Sequence, residues 1–177
     1  MIIDSFLGKL NPNDRDVEKI TNWLNDKRVN RFLEVRFNAP SKDEQKAQIL
    51  RWNSDPDYLY LGIFGRIDGR EPELVGTLKF GPYNRNHQTG ELGLVIGDTN
   101  YWGLGIASRS IYQAETIIKR EFKGIRKITA GAYSENLGSV RAFSKNGFRI
   151  EGILEDQVED GANRSSVVIL GKLLDSN

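Results

Sequence analysis

The chain contains no cysteine. Disulfides, a thiolate nucleophile and a cysteine-held metal are therefore excluded. A single histidine, His87, is too little for a histidine-rich metal centre and leaves a Ser-His-Asp triad hard to build. Charge of one sign is also missing: 25 basic residues face 24 acidic ones, a net of +1, and bulk charge gives no nucleic-acid or membrane partner. No apolar run is long enough to span a bilayer. Met1-Ile2-Ile3-Asp4 lacks the basic region and long apolar core of a signal peptide. The cytoplasm is the expected location.

What remains is an ordinary globular composition, 177 residues with 38% hydrophobic, most simply one domain spanning 1–177. Ile2 to Leu10 reads as a strand. Val17, Ile20, Trp23 and Leu24 follow helical spacing, and Val29, Phe32 and Leu33 suggest a short second helix. Ser41-Lys42-Asp43-Glu44 is a capping-box pattern opening a helix whose apolar side is Ile49, Leu50 and Trp52. Strands follow at 58–67, 74–80 and 89–96, then a long amphipathic helix at 106–122 and a strand at 125–133. A helix at 136–146 is stopped by Gly147, and a closing hairpin turns at Asp160-Gly161. Helices, then antiparallel strands, then alternating strands and helices imply an α+β (mixed α/β) domain around a central sheet.

The chemistry centres on Glu91 to Ser108. A strand ends at Ile96-Gly97, and Trp102-Gly103-Leu104-Gly105-Ile106-Ala107 opens onto a helix. The first N–H groups of a helix lack internal partners and carry the positive end of its dipole, so a glycine turn here suits a phosphorylated ligand. Two glycines at a strand–helix junction also make an ordinary tight turn. No Gly-Lys-Ser/Thr follows them, which argues against a nucleotide-phosphate enzyme.

A second element, Asn136-Leu-Gly-Ser139 before Lys145-Asn146-Gly147-Phe148, joins the first. Together they resemble the GNAT superfamily of N-acetyltransferases, with Arg/Gln-x-x-Gly-x-Gly/Ala at the pyrophosphate of acetyl-CoA. The segments Trp23 to Asp26 and Val29 to Glu34 extend the likeness over nearly the whole chain. Phe148-Arg-Ile-Glu-Gly-Ile-Leu followed by Asp160-Gly161 looks most like the ribosomal-protein N-terminal acetyltransferases (RimJ/RimL-like). The resemblance implies a twisted, mainly antiparallel sheet flanked by helices, and acetyl-CoA as cofactor.

Carried over residue by residue, the resemblance puts the pyrophosphate on backbone N–H groups of Gly103, Leu104, Gly105, Ile106 and Ala107, helped by Trp102 and the Ser108 hydroxyl. Pantetheine would pair with Val95, Ile96 and Gly97, with Asn136 adding a side-chain hydrogen bond. Arg141 and Lys145 would lie near the adenosine phosphates, although basic residues late in a helix also suit its dipole. The chain departs from the family twice. Tyr101-Trp102 stands where Arg or Gln is common, and Phe143 stands where many members have the tyrosine beside the thiol. Ser139 matches the serine used instead, as a donor to the leaving sulfur. Glu91 is the first choice for the base and Glu155 the second, each also readable as a solvated charge. A backbone N–H near Val95 or Ile96 would meet the carbonyl oxygen. Arg31, Glu34 and Tyr83, with Arg36, are substrate-side candidates.

With no cysteine, transfer is expected to be direct, without an acyl-enzyme. The expected acceptor is a primary amine on a small polar molecule of amino-sugar or polyamine type. The alternatives are a protein N-terminus and a non-catalytic acyl-CoA sensor. No metal is implied, and a homodimer is left open.

Overall fold

A computed structural model describes residues 3–161 and 163–174. One seven-stranded sheet has the order β1-β2-β3-β4-β5-β7-β6. In chain order the strands are β1 (Ile3–Lys9), β2 (Leu59–Ile67), β3 (Glu73–Phe80), β4 (Thr89–Ile96), β5 (Lys127–Tyr133), β6 (Arg149–Asp160) and β7 (Asn163–Leu173). The helices are α1 (Asp14–Asn25), α2 (Lys27–Asn30), α3 (Lys42–Ser54), α4 (Ile106–Glu121) and α5 (Leu137–Lys145). The expected α+β class and mainly antiparallel sheet are what the structure has. Ile2, included in the expected first strand, lies outside the described residues.

The starts of the helices follow from local chemistry. Asn13 caps α1, its side chain accepting from the Asp16 N–H at 2.9 Å. Ser41 and Glu44 form the reciprocal capping box that the sequence shows. Losing such a cap costs about 0.5–2 kcal/mol. Ser41→Ala is therefore expected to lower unfolding stability by about 1 kcal/mol, read as a shifted denaturant midpoint with unchanged slope. One expectation for α3 is corrected: Leu50 is exposed, and only Ile49 and Trp52 face inward. Leu50 follows Ile49 by one position, a step of about 100° around the helix, which turns it toward solvent.

Two apolar clusters cover the two faces of the sheet. α1 and α3 lie on one face, where Val17, Ile20 and Ile49 meet Tyr60 and Leu74. α4 lies on the other, where Ile106, Ile111, Ala114 and Ile118 meet Leu78, Phe80, Leu92 and Ile128.

The feature that positions the site is the one parallel pair. β4 and β5 are joined only at Thr89↔Lys127, Gly90↔Ile128 and Glu91↔Thr129. Beyond Glu91 the two strands separate. β4 continues against β3 to Ile96, while β5 continues against β7 to Tyr133. The sheet therefore opens into a cleft at the carboxyl ends of two adjacent strands.

Candidate active site

The register of β4 decides which of its backbone groups face that cleft. The Gly97 N–H donates to the Val75 carbonyl at 2.9 Å and the Gly81 N–H to the Glu91 carbonyl at 2.9 Å. In an antiparallel ladder the hydrogen-bonded residues alternate. Glu91, Gly93, Val95 and Gly97 therefore turn their polar groups toward β3. Gly90 turns toward β5, where its carbonyl accepts from Thr129 Oγ1 at 3.4 Å. Leu94 and Ile96 share the parity of Gly90, and past the end of the pairing their N–H groups point into the open cleft. The expectation placed pantetheine on Val95, Ile96 and Gly97. Alternation assigns the free amides to Leu94 and Ile96 instead. Gly97 is corrected in a second way: a Cβ on it would stand 2.0 Å from the Trp23 ring, so this glycine exists for packing.

The turn after β4 is held by the two aromatics that replace the family's usual cation. Trp102 Nε1 donates to the Ile96 carbonyl at 2.7 Å, and the buried Tyr101 donates to Glu73 at 3.3 Å. Gly103 and Gly105 have φ of +74° and +78°, which favour glycine, and a Cβ on either would meet nothing within 4 Å. Gly105 is the N-cap of α4 and supplies no side-chain cap, so the first N–H groups of that helix take no capping side chain. Ser108 Oγ accepts from Asn146 Nδ2 at 3.0 Å, which ties α4 to the end of α5. Asn136 caps α5, accepting from the Ser139 N–H at 3.2 Å.

Two cavities open onto this frame. The cavity over the glycine turn has a volume of about 620 Å³. Arg28, Arg31, Arg141 and Lys145 line it, and among the described residues no carboxylate does. The cavity on the α3 side has about 730 Å³ and is lined by Glu34, Glu44 and Glu91, with Lys79 as its one cation among the described residues. Leu94, Val95, Asn136 and Ser139 line both. The two spaces therefore meet at the end of β4 and the start of α5.

The acidic cavity has an aromatic and polar wall. Tyr60 packs on Trp52 with ring centres 4.8 Å apart, and its hydroxyl bonds Thr77 and Gln45. Burial pushes its phenol up to about 12, against the pull of those two bonds. Tyr133 donates to the Glu34 carboxylate. Burial, and next that carboxylate, push the Tyr133 phenol up to about 12. Both hydroxyls stay protonated at neutral pH. Arg36 binds the Arg31 and Glu159 carbonyls and pairs with Asp160 at 3.4 Å, fastening the 3₁₀ turn Glu34–Phe37 to the β6–β7 hairpin. On the floor, Cβ atoms placed on Gly93 would meet nothing within 4 Å. Gly93→Val is therefore expected to fold normally and to narrow the acidic cavity at its floor. Any ligand of this cavity should then bind about tenfold or more weakly to the variant, with an unchanged melting temperature.

Of the residues expected to act, Ser139 and Glu91 both line the acidic cavity, Glu91 being exposed and Ser139 half-buried. Phe143 is buried edge-on against Phe148 with centres 5.0 Å apart and offers no proton, as expected. Ile96, Trp102, Gly103, Gly105, Ile106, Ala107 and Ser108 gather around the cationic cavity. Leu104 does not: it packs against the core on the α4 face. Arg31, a substrate-side candidate, lines the cationic cavity and not the acidic one. Tyr83 is a core residue, its ring tilted against that of Phe122 with centres 5.2 Å apart and its hydroxyl 3.4 Å from the Lys123 carbonyl, and it lines neither cavity. Glu155 and His87 line neither. Sequence reasoning missed Leu94, Tyr60, Thr77, Lys79 and Tyr133. Thr77 and Lys79 left a signal, two polar residues alternating within an apolar strand, which marks a face that is not all core.

Residues 9–149 match the model of the acetyltransferase (GNAT) domain family. The chain belongs to the GNAT family. Over 110 residues it is 33% identical to a probable N-acetyltransferase, YjcK, of Bacillus subtilis, covering 62% of this chain and 58% of that relative. The chain thus matches somewhat more than half the length of this curated relative. In fold it is similar to RimL, a ribosomal L7/L12 α-N-protein acetyltransferase solved with coenzyme A. That likeness has a TM-score of 0.79 at 17% identity, over 98% of this chain and 96% of the other. It is also similar to the spermidine N-acetyltransferase of Vibrio cholerae solved with CoA and spermine, with a TM-score of 0.78 at 19% identity over 96% and 95% of the two chains. Among the described residues no helix is long and apolar enough to cross a membrane, and no group of His, Cys, Asp or Glu could hold a metal ion.

Proposed function

We propose that this protein moves an acetyl group from acetyl-CoA directly to a primary amine on a small polar molecule. The observation that carries the reading is the pair of oppositely charged cavities sharing Leu94, Val95, Asn136 and Ser139. A cationic cavity over free helix N–H groups suits phosphates, and an acidic one suits an amine that arrives protonated at neutral pH, with a pKa of about 10.

The donor set fits the cofactor. Gly103, Gly105 and the start of α4 would hold the pyrophosphate, with Arg31 supplying the cation that Tyr101-Trp102 do not. Arg141 and Lys145 would face the adenosine phosphates, and the Leu94 and Ile96 amides would take pantetheine. When bound, acetyl-CoA supplies a thioester whose carbonyl is open to attack. Glu91, directly or through water, takes the proton that the amine must lose. The Leu94 N–H steadies the charge that grows on the carbonyl oxygen, which leaves the Leu94 carbonyl and the Ile96 N–H for pantetheine. Ser139 Oγ–H donates to the sulfur as the N–C bond forms and the C–S bond breaks.

The test is thiol release with acetyl-CoA against amino sugars, polyamines and short peptides, with the product weighed by mass spectrometry. A product heavier by one acetyl group on a small amine supports the proposal. Acetylation of peptide N-termini alone would move the acceptor to a protein. Binding of acetyl-CoA with no product on any amine would make the protein a sensor.

A further inference from the structure

The ionised groups of the acidic cavity are not equivalent once their partners are counted. Glu44 is engaged by Ser41, whose N–H and hydroxyl donate to it at 2.8 and 2.7 Å. Glu34 is engaged by the Tyr133 hydroxyl. Glu91 has no ion pair or side-chain hydrogen bond among the described residues. Of three carboxylates, one is left for a ligand.

The same holds for the single cation. Lys79 is half-buried and lines the cavity. Among the described residues no carboxylate lies within ion-pair distance of it. Its ammonium is instead held over two aromatic faces, 5.6 Å from the Trp52 ring centre and 5.9 Å from that of Tyr58. Ring faces attract a cation but leave its donors unsatisfied on the cavity side. Other lysines of this protein with comparable exposure are paired: Lys19 with Glu73 at 3.0 Å and Lys127 with Glu151 at 2.6 Å.

Register fixes where these two groups stand. Lys79 is opposite Gly93, and Thr77 is opposite Val95. Directly opposed residues share a face, as do residues two apart on one strand. Lys79, Glu91, Gly93 and Val95 therefore project from one side of the sheet, and the open space over Gly93 lies beside Lys79. Val95, where the two cavities join, is two residues or about 7 Å further along β4.

We infer that the acceptor carries an anionic group, a carboxylate or phosphate, in addition to its amine, and that Lys79 is the residue that reads it. The inference rests on the acetyltransferase reading and narrows it: a simple polyamine has nothing to give Lys79. Amino acids with a side-chain amine and phosphorylated amino sugars share the required chemistry.

Matched pairs test this. Ornithine is compared with putrescine, and glucosamine 6-phosphate with glucosamine. Each is measured twice, as thiol release with acetyl-CoA and as calorimetric binding to the protein saturated with CoA. Wild type is expected to favour the member that bears a carboxylate or phosphate in at least one pair by about 10-fold to 100-fold in KM or Kd, the effect of a charge-assisted bond. Lys79→Met should remove that preference while melting at the wild-type temperature and binding acetyl-CoA as wild type does. Lys79→Arg should restore most of it. Lys79→Glu should invert it.

Equal or better use of the members that lack an anionic group, glucosamine and putrescine, by wild type would overturn the inference, as would a preference that survives Lys79→Met. Thiol release with no amine at all would instead defeat the acetyltransferase reading. The binding measurement would still decide whether Lys79 selects an anion.

Discussion

Gly105→Glu is expected to weaken acetyl-CoA binding by a factor of 10² to 10³ or more, with the fold retained. Gly105 has φ of +78° and sits at the N-cap of α4, where a Cβ would meet nothing within 4 Å. An added side chain would therefore enter the cationic cavity without striking the protein. Its carboxylate would stand where the pyrophosphate must lie. Two like charges about 4 Å apart cost about 4 kcal/mol at an effective dielectric near 20, and 1.4 kcal/mol is tenfold in affinity. The left-handed backbone adds strain of about 1–2 kcal/mol, which acts on stability in the free protein as well. Gly105→Ala separates the two effects. It carries the strain without the charge and should lower the melting temperature about as much as Gly105→Glu does, while keeping most of the affinity. Equal loss of binding in both variants would mean that the backbone conformation matters and the anion site does not.

Ser139→Ala is expected to lower kcat by about 10²-fold, the lower end of what a positioned proton donor contributes, and to leave acetyl-CoA affinity unchanged. The serine is the third residue of α5, and the cap of that helix uses its backbone N–H with the Asn136 side chain. Alanine keeps that bond, so the helix should not move. The Ser139 hydroxyl itself has no partner among the described residues, which leaves it free to donate where the two cavities meet. The loss should be largest with acetyl-CoA and smaller with an acyl donor whose thiol is more acidic, because a better leaving group needs less help. The pH profile supplies a second check. The acceptor must be deprotonated to attack, so kcat/KM should rise with pH toward the amine's own pKa of about 10 in wild type and variant alike. A loss in KM alone would place Ser139 in binding and not in the departure of the thiol.

The sequence carried the fold far because its punctuation is local. Asn13, Ser41, Gly105 and Gly147 mark helix ends by capping or by positive φ, and the runs between them keep a period of two or of 3.6. The glycine turn and Asn136–Ser139 were legible for the same reason, since each is a short contiguous motif at a helix start. What sequence could not show depends on register. Whether Val95 or Leu94 offers its amide to the cleft turns on a single residue of strand alternation, which the bond from Gly97 to Val75 settles. Tyr83 looked like a loop residue available to substrate. Its ring is buried because Phe122, at the end of α4, comes back against it, a contact between residues 39 apart in the chain. Tyr133 and Lys79 were passed over because each matters only through partners from other elements, Glu34 for one and Trp52 with Tyr58 for the other. Arg31 is expected on the acceptor side because the resembling family builds that pocket partly from its first helices, yet it lines the same cavity as the glycine turn.

The most direct test of the account is a crystal structure of the protein with coenzyme A. The expected result is the pyrophosphate at the N-terminus of α4, the pantetheine amides paired with Leu94 and Ile96 between β4 and β5, and the thiol at the junction beside Ser139. Coenzyme A in the acidic cavity, or a pantetheine arm that does not enter the cleft between β4 and β5, would contradict it.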